Sequence, residues 1–257
     1  LMIWVWNWAY SGMMLLCPLA IIARIFCFYG GILWILPIIA WGLSARGLYN
    51  GVRIPIVSER VLSYDELPDD LDGYRIVYLS DIHTSSAATK WRTEAIVTEV
   101  NSLDADLIVV TGDIVDGLPE DQSANIAPIR HLKAKDGVYF ITGNHEFYNH
   151  FFTNWKPLFD DWGLNFVDDR CVMVRPSLAV AGRYDMRGVD IAHIPPAPAK
   201  VLFSEVGEGV FRLLLDHQPK RVLENLREAQ FDLQLSGHTH GGVMPGLRQL
   251  VRWWNGG

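Results

Sequence analysis

Asp81 and His83 lie one residue apart, Asp113 and Asp116 share the run Gly112-Asp113-Ile114-Val115-Asp116, and Asn144, His145 and Glu146 follow Gly143. His217 follows Asp216, and His238 and His240 flank Thr239. Five of the eight histidines fall in this set. Singly, each pair suits a polar turn, since Gly, Asn and Asp tolerate turn backbone angles. Gathered at one place, carboxylate and imidazole groups would repel or desolvate one another unless a cation sits among them. Mixed Asp, Asn and His donors suit Mn, Fe or Zn rather than Mg alone, because imidazole prefers the softer ions. The candidate ligands Asp81, His83, Asp113, Asn144, His217, His238 and His240 exceed the needs of one ion. A bridging carboxylate would let them serve two, and two ions about 3.5–4 Å apart can hold a hydroxide and clamp a phosphoryl group for in-line attack.

The elements that must position these groups are strand ends. Residues 74–79 are short, β-branched and aromatic, and residues 107–111 (Leu-Ile-Val-Val-Thr) form the apolar run of a strand buried on both faces. Residues 138–142, 211–215 and 231–235 read the same way, with further strands between 165 and 180. Helical stretches are expected near 89–101, 125–132 and 220–229. Strands alternating with helices indicate an α/β domain with a largely parallel sheet, whose ligand crevice lies outside the carboxyl ends of the strands. Asp81 and His83, Asp113 and Asp116, Asn144 to Glu146, His217, and His238 with His240 each follow a different strand. The glycine pairs Gly112-Asp113 and Gly143-Asn144 lack the spacing and the Lys of a phosphate-cradling loop.

The first 45 residues differ from the rest. Arg24 is their only charged residue, and five of the ten tryptophans sit there. Residues 2–23 and 25–44 each approach the length needed to cross a bilayer as a helix, which predicts a transmembrane hairpin and a cell-membrane location. Residues 46–72, with Pro55 and Pro68, read as a linker, and residues 73–257 as the catalytic domain. Arg46, Arg53 and Arg60 after the second span favour a cytoplasmic domain over Arg24 alone in the turn, and the side stays open. The net charge of -7 and the lack of a basic stripe exclude broad nucleic-acid binding.

The blocks Ser80-Asp81-Ile82-His83, Gly112 to Asp116, Gly143-Asn144-His145-Glu146, His217 and Gly237-His238-Thr239-His240 stand in the order seen in the calcineurin-like metallophosphoesterase superfamily, which the chain resembles over residues 74–243. Asp216-His217-Gln218-Pro219 and the run 236–242 further resemble its bacterial membrane-associated, YkuE-like branch. The resemblance implies a four-layer αββα sandwich and a phosphohydrolase acting on mono- or diesters or pyrophosphates, with phosphorylated small molecules or lipids as substrates. It places one ion, Mn2+ first with Fe or Zn as alternatives, on Asp81, His83 and His240, and a second on Asn144, His217 and His238, with Asp113 bridging. His145 would act on the leaving oxygen as the catalytic group, and Glu146 and Asp116 would orient it and the ligands. The branch commonly has Gln where this chain has Val243, and it continues past the His-x-His block with strands that complete the second sheet, so the chain is expected to be truncated at its C-terminus. Residues 184–187 (Tyr-Asp-Met-Arg) read as a solvated turn, with a substrate-facing loop as the alternative, His131 and His193 as surface residues, and His150, Phe151 and Phe152 as candidate lining of the crevice mouth. The competing readings, a scaffold that kept the fold without catalysis and a nuclease, predict damaged ligands and a basic stripe respectively, and the sequence has neither.

Overall fold

The computed structural model describes residues 2–25 and 34–240, with Gln249 and Trp253 beyond them. In chain order these form α1 (Met2–Ile25), α2 (Ile35–Val52), β1 (Ile76–Leu79), α3 (Lys90–Ser102), β2 (Leu107–Thr111), α4 (Pro119–Ile126), β3 (Val138–Ile141), α5 (Asn144–Tyr148) and α6 (Lys156–Asp161). They continue with β4 (Asn165–Phe166), β5 (Arg170–Arg175), β6 (Leu178–Gly182), α7 (Arg187–Ala192), α8 (Ala199–Leu202), β7 (Phe211–Leu215), α9 (Val222–Glu228) and β8 (Leu233–Leu235). Two four-stranded sheets result, ordered β1-β2-β3-β4 and β5-β6-β7-β8. The first is parallel throughout; in the second only the β5–β6 pair is antiparallel.

The period-2 alternation of the strands sets the layers. Ile108 and Val110 of β2 face Ile96 and Val97 of α3 together with Trp155, while Leu107 and Val109 face Leu178, Val180, Leu213 and Leu215 of the second sheet. Ala179, Ala181 and Leu214 turn the other way, toward Ala199 and Leu202 of α8. The order is therefore helix, sheet, sheet, helix, as expected. All of β2 is buried, and each Leu, Ile or Val so removed from water contributes about 1.5–3 kcal/mol.

Two boundaries differ from expectation. The helix expected over 125–132 starts earlier, at Pro119, whose missing N–H suits a first helical position, and it gives way to a 3-10 turn (Ala127–His131) where Pro128 removes a donor. The helix expected over 220–229 is shorter, preceded by a 3-10 turn at Pro219–Arg221. The second apolar helix also runs on to Val52, past Arg46.

The two apolar helices pack against each other. Trp8 Nε1 donates to the Trp41 carbonyl at 3.0 Å, Ser44 Oγ donates to the Trp8 carbonyl at 2.9 Å, and Gly12 lies against the Trp41 ring. Among the described residues only Trp4–Ile25 is long and apolar enough to cross a membrane, so the expected pair of spans is supported for α1 and weakly for α2. Arg24, expected in the turn between the spans, instead falls in the last turn of α1; residues 26–33 lie outside the described residues, as do Val243 and the residues that bear on C-terminal truncation.

Candidate metal centre

Parallel pairing brings the carboxyl ends of β1, β2 and β3 to one side of the first sheet, and those of β7 and β8 to the same side of the second. Asp81 and His83 leave β1, Asp113 leaves β2, Asn144 opens α5 after β3, and His217, His238 and His240 follow β7 and β8. Their backbones are strained: of nine non-glycine residues with positive φ among those described, five are Asp81, His83, Asp113, His238 and His240. Such outliers persist only where the surroundings over-determine them, and they cluster at functional sites.

The side chains converge in two groups that meet at Asp113. His240 Nε2 lies 3.4 Å from Asp81 Oδ1 and 3.1 Å from His83 Nε2. His217 Nε2 lies 3.1 Å from Asn144 Oδ1, and the His238 ring centroid is 5.2 Å from that of His217. One oxygen, Asp113 Oδ2, stands 3.6 Å from His83 Nε2 and 3.3 Å from His217 Nε2. The other, Oδ1, accepts the His145 N–H at 2.9 Å. All seven expected ligands are thus brought together, with Asp113 placed between the groups.

The donor chemistry fits cations. His217 Nδ1 bonds the Thr111 carbonyl at 2.6 Å, and a carbonyl only accepts, so Nδ1 carries a proton. In a neutral ring the buried Nε2 is then a lone pair, yet it faces two further acceptors, Asn144 Oδ1 and Asp113 Oδ2. His83 repeats the pattern: Nδ1 donates to Asp116 Oδ1 at 3.1 Å while Nε2 points at His240 Nε2. Converging lone pairs of this kind are stable around a positive charge. Without a metal that charge would be a proton: burial disfavours it on His217, but Asp113 outweighs burial and lifts the imidazole to about 9.

Support comes from groups behind the ligands. Glu146 is fully buried and accepts four backbone N–H groups, from Asp113 (2.9 Å), Ile114 (2.7 Å), Val115 (3.3 Å) and Gly143 (2.7 Å). It ties the loop after β2, and with it Asp113, to the start of α5, and it makes no bond to the His145 ring. Asp116 does: its Oδ1 lies 2.5 Å from His145 Nδ1 as well as 3.1 Å from His83 Nδ1. Burial opposes the Asp116 anion, yet the two imidazoles hold its pKa well below the usual carboxylate range. Asp116 in turn keeps His145 above its ordinary value against the cost of burial.

Within residues 184–187, Met186 and Arg187 are exposed as expected of a solvated turn, but Asp185 is not. Arg183 and Asp185 are buried, and Asp185 accepts the Gln218 amide at 2.8 Å and 3.0 Å beside His217. Asp216 is likewise held by Arg221 at 2.6 Å and Asn225 at 2.9 Å. β6 is parallel to β7, so its carboxyl end also opens on the crevice and brings Asp185 there. His131, His150 and His193 are exposed, Phe151 belongs to the core rather than the mouth, and Tyr148 stacks edge-on to His145 at 5.5 Å.

Comparison with known proteins follows the same boundaries. A model of the calcineurin-like phosphoesterase family matches residues 74–242. An uncharacterized metallophosphoesterase of Helicobacter pylori is 32% identical over 82% of this chain and 55% of its own. A transmembrane protein with metallophosphoesterase domain of Danio rerio is 31% identical over 79% of this chain and 48% of its own. The uncharacterized metallophosphoesterase YkuE of Bacillus subtilis is 31% identical over 79% of this chain and 72% of its own. The chain therefore spans about half the length of the first two.

Proposed function

Because the chain belongs to the calcineurin-like metallophosphoesterases, we propose that it hydrolyses a phosphate mono- or diester or a pyrophosphate at the crevice along the carboxyl ends of its two sheets. One observation carries the reading. Asp113 Oδ2 stands between two groups of imidazole nitrogens and carboxylate or amide oxygens, which supports a donor set for two ions. Asp81, His83 and His240 would hold one ion, Asn144, His217 and His238 the other, and Asp113 both. Two such cations supply charge against the phosphoryl oxygens and an activated water. Mn2+ suits this mixture best, with Fe or Zn next.

The chain's own groups then have separate tasks. The His145 amide fixes Asp113 through Oδ1, leaving Oδ2 for the ions. Asp116 anchors the Nδ1 face of His145, so its Nε2 is the atom left to give a proton to the departing oxygen. A phosphorylated small molecule or an anchored lipid would enter with its phosphate over Asp113. Anchoring is supported by the apolar helix Trp4–Ile25 and by the relative named as a transmembrane protein, and α2 would return beside α1 as the second arm of a membrane hairpin.

The test is to strip the purified chain of metal and restore Mn2+, Zn2+, Fe2+ or Mg2+ singly, following aryl phosphate mono- and diesters. Two ions per chain and turnover that depends on them are expected, with Asp113→Asn losing at least a hundredfold and His145→Ala about 10²–10⁴-fold. A protein that binds no ions and cleaves no ester would be the scaffold instead.

A further inference from the structure

We propose that Tyr148 and Arg187 form a subsite for the leaving group, selecting phosphoesters whose departing alcohol carries a second anionic group. The inference rests on the reading of His145 as the residue facing the leaving oxygen. Its own support lies beyond that residue. The Tyr148 ring is edge-on to His145 at 5.5 Å, and the Arg187 guanidinium lies over the Tyr148 ring, 6.0 Å from its centroid. Both side chains are about half exposed, 49% for Tyr148 and 48% for the Arg187 side chain, so both are open to a ligand.

The placement is built rather than incidental. α7, which Arg187 opens, closes on α5 because Gly188 has no side chain: a Cβ there would sit 2.9 Å from the Phe147 ring. The Arg187 N–H donates to Asp185 Oδ1 at 2.8 Å, and Asp185 also holds Gln218 beside His217. These contacts fix the start of α7, from which the Arg187 side chain extends, relative to α5 and His145. Its partner Asp190, at 2.8 Å, is 61% exposed and three residues along the same helix. Exposed pairs of this kind are worth about 0–1 kcal/mol, so a substrate anion can exchange with it.

Charge explains why such a subsite is useful. The crevice concentrates the carboxylates Asp81, Asp113 and Asp116, and the chain carries a net charge of -7. Two divalent ions would offset that field at the reacting phosphate, whereas a second anion on the leaving group lies beyond them and needs its own cation; a guanidinium offers a planar fork that fits carboxylate or phosphate. In the step itself the oxygen of water becomes bonded to phosphorus, and the P–O bond to the alcohol breaks with its electron pair on the leaving oxygen. That oxygen takes the His145 proton, the attacking water releases one of its protons to solvent, from which His145 is reprotonated, and the freed alcohol stays beside Tyr148 and Arg187.

The experiment uses the metal-loaded full chain with phenyl phosphate and 3-carboxyphenyl phosphate, and with their methyl diesters. Arg187→Gln should lower kcat/KM about tenfold for the carboxylated esters and less than twofold for the phenyl esters, with Arg187→Lys intermediate. Metal content per chain and thermal stability should match the wild type in both variants. Equal losses on both kinds of ester, or none on the carboxylated ones, would overturn the subsite while leaving hydrolysis intact. A wild type that cleaves none of the four would instead remove the hydrolase reading and this inference with it.

Discussion

Asp168 has one carboxylate oxygen bonded twice and the other not at all. Oδ1 accepts from the Thr142 amide at 2.9 Å and hydroxyl at 2.7 Å, while Oδ2 is buried without a partner. Burial pushes its pKa up to about 8, past the opposing Thr142 bonds. A carboxyl raised in the folded state binds its proton there and loses it in the unfolded chain above about pH 4. The unfolded state then holds fewer protons, so stability falls as pH rises from about 4 to 8 and levels off above 8. Asp168→Asn keeps an acceptor for Thr142 and removes the titration. The variant should match the wild type near pH 4 and exceed it by a few kcal/mol near pH 8.5. Thermal melts at pH 4.5, 6.5 and 8.5 read this directly, and parallel curves for the two proteins would sink it.

At the scale of elements, the loop after β2 and the start of α5 work as one part. Glu146 gathers four of their amides, and Gly112 and Gly143 touch backbone to backbone. Gly143 has an ordinary φ of -106, so its need for glycine is spatial: a Cβ would fall on the Asp113 amide and carboxylate. Gly143→Ala should fold at a cost of about 1–3 kcal/mol and lose at least one of the two ions, because Asp113 must shift. Gly207→Ala, where a Cβ meets nothing within 4 Å, is the matched control. Equal metal content by elemental analysis in the two variants would count against the interlock. The strand ends were legible in the sequence because an apolar run followed by Asp, Asn or His marks where a buried strand meets the crevice. The role of Glu146 was not, since its partners are backbone amides, which every residue supplies and no side-chain pattern announces. Asp185 escaped for a different reason: β6 ends in small residues, Ala-Val-Ala-Gly, and its polar successors resemble an ordinary turn.

For the molecule as a whole, the question is how the apolar head relates to the metallophosphoesterase domain behind it. Leaving α1 in water would expose Trp6 (73%), Met13 (64%) and Ile25 (68%) together, far more than a soluble surface tolerates. Its 22-residue apolar stretch is about 33 Å long, against a bilayer core of about 30 Å. Packing on α2 satisfies the Trp8 indole and the Ser44 hydroxyl internally, as an apolar solvent demands. The body has its own three cores and its crevice groups all follow residue 73, so anchoring and chemistry should separate. Met14 is exposed on α1, and an arginine there costs about 2.5–3.5 kcal/mol at mid-bilayer. The wild type should stay with membranes through an alkaline carbonate wash. Met14→Arg combined with Ile21→Arg should release it, with turnover of a water-soluble aryl ester unchanged. A wild type that washes off intact would mean that the exposed face of α1 meets a protein rather than lipid.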